Sequence, residues 1–141
     1  MKTVTFLLII FFFSNLVASD IKWESLILEK MLTSMSSTNK VLIYTKSPKM
    51  KKIVEHLTDG KVRVTNNCKK ADFALLTEDE KEACDKPEIV FNYRGYLHNQ
   101  NAVGVFFWQK GRPTIRFSSK RLKYFDLQVR GELSKFVSSN Q

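Results

Sequence analysis

Cysteine and histidine are scarce in this chain of 141 residues, with two of each. That inventory excludes a zinc-ribbon cluster and a disulfide-dense scaffold. Three prolines and five glycines exclude collagen-like and low-complexity architectures. Acid is the scarcer charge, with 14 Asp and Glu against 23 Lys and Arg and a net charge of +9. The longest apolar run, Phe6 to Phe13, is too short to cross a hydrocarbon core of about 30 Å as a helix. A polytopic membrane protein is therefore excluded. What remains is a chain 43% hydrophobic and 26% charged, the composition of one compact globular domain.

The apolar run follows Lys2 and leads to Leu16-Val17-Ala18-Ser19. One positive charge, a short apolar block and small residues at Val17 and Ser19 form a secretory signal peptide over residues 1–19, with an uncleaved anchor as the alternative. Cleavage is expected between Ser19 and Asp20, leaving residues 20–141 as the exported domain in a periplasmic setting. Export places Cys68 and Cys84 in an oxidising compartment, where a pair normally oxidises. A Cys68–Cys84 bridge is the expectation, against a buried free pair or a metal site, and would close a modest loop worth about 3 kcal/mol.

Residues 20–35 carry Ile21, Trp23, Leu26, Ile27, Met31, Leu32 and Met35 at helical spacing, with Asp20 as N-cap. Val41 to Tyr44 is a short β-forming run. Ser47-Pro48 starts a helix through Ile53, Val54 and Leu57, stopped by Asp59-Gly60. Lys61 to Thr65 alternates as a second strand, which completes a β-α-β unit. Ala71 to Leu76 and Ile89 to Tyr93 read as further strands, with an acidic helix or turn over Glu78 to Cys84 between them. Val103 to Trp108 and Thr114 to Phe117 flank the turn signature Lys110-Gly111-Arg112-Pro113. Ser118-Ser119 caps a helix through Leu122 and Phe125, and a last short helix is expected over Gly131 to Val137. The whole is a single α/β sandwich: a mixed sheet of five or six strands, parallel at first and antiparallel at the hairpin, with helices on both faces.

Open sheets of this kind bind ligands beyond the carboxyl ends of their parallel strands. Ser47, Thr77, Asn92 and Tyr93 lie at those ends, where a helix N-terminus favours a small anionic ligand. Ser47 and Asn92 equally suit plain capping and turning. His56 falls in a helix and His98 in a polar loop, neither within a nucleophile or zinc motif, so no catalytic residue, metal or cofactor is assigned. Glu78-Asp79-Glu80 and Glu82 fit no calcium loop and read as a solvated acidic turn.

The basic excess concentrates near the C-terminus. Lys110, Arg112, Arg116, Lys120, Arg121, Lys123 and Arg130 fall within a stretch that contains a single acid, Asp126. Carried on a hairpin and a helix, Arg112, Arg116, Lys120 and Arg121 are candidates for one partner-binding face, with Trp108 as an aromatic anchor. The competing readings are a solubility surface for the charges and sheet core for the aromatics. Export argues against nucleic acid as the normal partner, and a homodimer is left open.

In its order of elements the mature chain resembles the YfiR-like family of small bacterial periplasmic proteins. The resemblance runs through Ile27 to Leu32, Val41 to Tyr44, Ser47-Pro48 and Ala71 to Leu76 with Cys68 before it. It is carried further by Asn101 to Phe107, Gly111 to Ser118, Lys120-Arg121-Leu122 and Leu127 to Leu133. Val103-Gly104 stands where the family usually shows a double glycine, and Ser118 where it tends to have asparagine. The resemblance implies a non-enzymatic regulator that contacts an inner-membrane signalling protein, of the diguanylate cyclase or sensor kinase type. A periplasmic solute receptor using the strand-end crevice is the alternative.

Overall fold

The computed structural model describes residues 21–38, 40–56, 60–77 and 84–139. Asp20, the expected signal peptide and the acidic turn over 78–83 lie outside the described residues. A helix over 21–35, α1, precedes the sheet. Seven strands follow: β1 (Val41–Tyr44), β2 (Val62–Thr65), β3 (Phe73–Leu76), β4 (Glu88–Val90), β5 (Ala102–Gln109), β6 (Arg112–Ser118) and β7 (Val137–Ser138). They form one sheet in the order β2-β1-β3-β4-β5-β6-β7. The pairings from β2 to β5 are all parallel, β5 and β6 pair antiparallel, and β7 runs parallel to β6. The fold is α/β, with seven strands where five or six were expected.

Right-handed crossovers decide which face each helix takes. Between β1 and β2, α2 (Pro48–Glu55) lies on the same side as α1. Leu28, Met31, Leu32 and Met35 of α1 and Met50, Ile53 and Val54 of α2 pack there over Val41, Ile43, Phe73, Leu75 and Ile89. Between β4 and β5 the chain advances the other way along the sheet, so α3 (Tyr93–His98) packs on the opposite face, burying Tyr96 against Leu76, Val90, Ala102 and Val105. The helix of α1 is as expected, but its buried stripe centres on Leu28 and leaves Trp23 and Leu26 exposed. Gly104 sits where a Cβ would come within 3.0 Å of Ile89 and 3.1 Å of Phe117, so any larger residue here would press on both side chains.

β5 and β6 are the long strands. Their loop is only Lys110-Gly111, both at positive φ (50° and 74°), the geometry of the two-residue turn that matches strand twist. Arg112 and Pro113, expected in the turn, belong to β6. On its outer side β5 loses its partner after Val105, where β4 ends. β6 is paired by β7 only at Phe117 and Ser118. The distal half of the hairpin therefore projects beyond the sheet as a two-stranded ribbon.

Two other expectations are corrected. The fourth strand stops at Val90, because the Asn92 side chain accepts the Gly95 N–H and starts α3. The expected terminal helix is a 3-10 turn over Gly131–Phe136 that ends in β7. Between β2 and β3 the chain makes a single 3-10 turn at Cys68–Lys70, capped by Asn67.

Cys68 and Cys84 form a disulfide across a sequence separation of 16, with Cα atoms 6.2 Å apart. It ties the entry to β3 to the entry to β4, on either side of the undescribed segment. Bonds of this kind persist in oxidising compartments. Among the described residues no helix is long and apolar enough to cross a membrane. Replacing both cysteines by alanine is expected to lower stability by about 3 kcal/mol. Urea unfolding of the variant beside the oxidised parent, read as the midpoint shift at unchanged slope, checks it.

Candidate functional site

The strand-end residues are local structure makers. Ser47 Oγ accepts the Met50 N–H at 3.3 Å and so caps α2, while the Ser47 N–H donates to the buried Thr45 Oγ1 at 3.2 Å. Asn92 Oδ1 does the same for α3. The two capped helices leave the sheet on opposite faces, so their N-termini diverge and do not converge on one anion. Thr77 lies half-buried just past β3, between them in the sheet order. Tyr93 opens α3 with its ring 5.8 Å from that of Phe107. His56 caps the end of α2, and His98, expected in a loop, closes α3 in an exposed position. Among the described residues no group of three or more His, Cys, Asp and Glu could hold a metal ion.

The basic residues divide into three places. Strand alternation puts Arg112, Thr114 and Arg116 on one face of the ribbon, opposite Gln109, Phe107 and Val105. That is the α3 side. There the Arg116 guanidinium lies 5.3 Å from the Tyr93 ring centroid and its Nη1 donates to Tyr93 Oη at 3.5 Å, while Arg94 is exposed on the first turn of α3. Lys120 and Lys123 are exposed on α4 (Ser119–Tyr124), which begins at the foot of β6, the far end from the ribbon tip. Trp108 is half exposed but faces the other way, stacking edge-on against Phe106 on the α1 and α2 side. The structure thus unites Arg112 and Arg116, and separates Lys120 and Trp108 from them.

Arg121 leaves the predicted face altogether. It is 8% exposed, and its guanidinium donates to the carbonyls of Tyr96 (2.5 Å), Ala102 (2.9 Å) and Leu97 (3.3 Å). Two of those are the last-turn carbonyls of α3, which have no acceptor role inside the helix. The third belongs to the first residue of β5. The Tyr96 ring completes the pocket, 5.0 Å from the guanidinium carbon. Burial lowers the Arg121 pKa, opposed by Tyr96; burial raises the Tyr96 pKa, opposed chiefly by Arg121 and then Arg116. The Tyr96 hydroxyl is buried with no hydrogen-bond partner among the described residues. Sequence reasoning missed this cluster because an arginine within a basic run reads as surface. The nearest signal was its place next to Leu122, on the inward side of a capped helix.

Two cavities flank this frame. At the amino ends of the parallel strands an open groove of about 1000 Å³ runs between the turn after α1 and the link after α4, with Asp72, Asp85 and Asp126 offset by Lys86, Lys123 and Arg130. At the carboxyl ends a smaller cavity of about 120 Å³ lies between α1, α2 and β5. Neither is lined by Ser47, Thr77, Asn92 or Tyr93.

Removing the Arg121 charge strands three buried carbonyls, so Arg121→Met is expected to cost about 3 kcal/mol, with Arg121→Lys recovering only part of it. Tyr96→Phe removes an unsatisfied hydroxyl and is expected to raise stability by about 1 kcal/mol. Because the folded-state pKa of Tyr96 is raised, its contribution is fully present below the unfolded value near pH 10 and is lost as pH rises through it toward the folded value. Urea midpoints at neutral pH and above pH 10 check all three, the phenylalanine variant showing the shallower alkaline loss.

Comparisons with protein-family models, with curated proteins and with solved structures each find no significant match, so residue pattern and geometry carry the functional reading.

Proposed function

We propose that the chain is an exported, non-enzymatic regulatory domain that binds a membrane signalling protein, of the diguanylate cyclase or sensor kinase type, through the α3-side face of its β5–β6 ribbon. The observation that carries the reading is the projecting ribbon with Arg112 and Arg116 aligned on one face beside Tyr93 and Arg94. From residue 89 to residue 125 the chain contains no acid, so nothing in this stretch neutralises that face from within. Arg is the cation suited to docking, since its planar fork pairs carboxylates in bidentate fashion and stacks on aromatic rings. An acidic partner surface would be steered to it from a distance and held at short range. The apolar leader, the disulfide and the resemblance to the YfiR-like family support work outside the cytosol by contact. Lys120 and Lys123 belong to the far end of the domain and are not part of this dock. Nothing in the arrangement of Ser47, Thr77 and Asn92 favours a solute receptor.

The test is capture of crosslinked partners from bacterial envelopes with the tagged chain. Arg112→Glu with Arg116→Glu is expected to reduce recovery of a cyclase- or kinase-bearing membrane protein at least about tenfold, and salt to weaken the parent in the same direction. Lys120→Glu with Lys123→Glu is expected to leave recovery within about twofold. Equal recovery by the parent and the arginine double variant would sink the reading.

A further inference from the structure

Trp108 to Pro113 are exposed without interruption, and they form the tip of the β5–β6 ribbon. β4 pairs with β5 only as far as Val105, and β7 with β6 only at Phe117 and Ser118, so the tip stands clear of the neighbouring strands. It holds one large apolar ring, two cations (Lys110 and Arg112), a proline and no acid. Trp108 is 44% exposed, which keeps much of an indole in water. Its ring is nevertheless set in place, edge-on to Phe106 with centroids 5.8 Å apart. The charges on the neighbouring helices that share the cavity beneath it, Glu24 and Lys49, offset each other.

Strand alternation sends Trp108 to the α1 and α2 side and Arg112 to the α3 side, with Lys110 on the turn between them. A flat protein surface meets one face of a ribbon and leaves the other in water. A layer that surrounds the tip meets both. The headgroup region of a bilayer is such a layer, about 5–7 Å deep in each leaflet. The two residue steps from Trp108 to Lys110 span about 7 Å. Immersion to that depth puts the indole at headgroup level, where tryptophan rings concentrate, and keeps both cations among the phosphates and out of the hydrocarbon. Arg116 lies four steps, about 13 Å, further down β6 than Arg112 and stays outside the layer.

We propose that the ribbon tip docks on the surface of a bilayer rich in anionic phospholipid, with Trp108, Lys110 and Arg112 entering its headgroup layer. Charge complementarity selects the lipid, since each Lys or Arg close to an anionic bilayer raises binding about fivefold. Two cations and one ring make a reversible contact, of the kind that adds to a second attachment at the same membrane. The inference goes beyond the protein dock and does not rest on it. Trp108 and Lys110 belong to the tip alone, Arg116 to the dock alone, and Arg112 to both.

The experiment mixes the processed chain, residues 20–141, with vesicles at millimolar lipid and about 0.15 M salt, so that the apolar leader cannot contribute. Vesicles of equal parts phosphatidylglycerol and phosphatidylcholine are expected to bind it at least about tenfold more strongly than phosphatidylcholine alone. In a Trp23→Phe background Trp108 is the sole tryptophan, and its emission is expected to move to shorter wavelength on binding. Lys110→Glu reverses one charge at the tip and is expected to weaken binding about twentyfold, and Trp108→Ala at least about fivefold. Arg116→Glu lies more than a Debye length of about 8 Å from the tip, and Arg63→Glu lies at the far edge of the sheet. Each is expected to change binding by less than about twofold. Unchanged Trp108 emission, equal binding to phosphatidylcholine alone, or a loss with Arg63→Glu as large as with Lys110→Glu would overturn the proposal. The vesicles carry no protein, so such a failure leaves the arginine dock standing, and failure of the dock leaves this contact standing.

Discussion

The fold turns on a buried guanidinium. Arg121 donates to two terminal carbonyls of α3 and to the first carbonyl of β5, joining α4, α3 and β5 through one side chain. A buried arginine is tolerated only when its donors are satisfied, and here main-chain oxygens satisfy them. Because α4 begins directly after β6, this clamp fixes the foot of the hairpin from both strands: β5 through Ala102, β6 through the Ser118 cap of α4. The ribbon can then extend beyond β4 and β7 as a defined shape. Gly104 lets β5 pass closely between the Ile89 and Phe117 side chains at its root.

Held in this way, the ribbon offers two different surfaces. Its α3 side is cationic and aromatic, with Arg112, Arg116 and Tyr93. Its α1 and α2 side is apolar, with Phe106 and Trp108 over Leu28 and Met50. The two faces differ in chemistry, charge on one and apolar side chains on the other. Trp23 and Leu26 of α1 are also exposed.

Much of the frame is legible from residues alone, where local chemistry is strong. The run Val41 to Tyr44, the Ser47-Pro48 helix start and the Lys110-Gly111 turn each carry a local physical signal, and each stands where it was expected. What escaped reading depended on distant contacts. β7 is two residues long and exists only because Phe117 and Ser118 lie beside it. α3 is a six-residue helix with a glycine inside, too short to show periodicity, and only Asn92 announces it. The basic run looked like one face because charge is visible in sequence and direction is not. Strand alternation set Trp108 against the arginines, and burial claimed Arg121. At the strand ends, Ser47 and Asn92 take the capping role that their residue types equally suit.

The central claim is that this domain acts by contact through the α3-side face of its ribbon. It is tested most directly by placing a photoreactive residue at Arg112 in one sample and at the exposed Arg63 of β2, at the opposite edge of the sheet, in another. After irradiation of living cells, the account predicts a covalent adduct with a membrane signalling protein from position 112 and none from position 63. An adduct from position 63 with none from position 112 would contradict it.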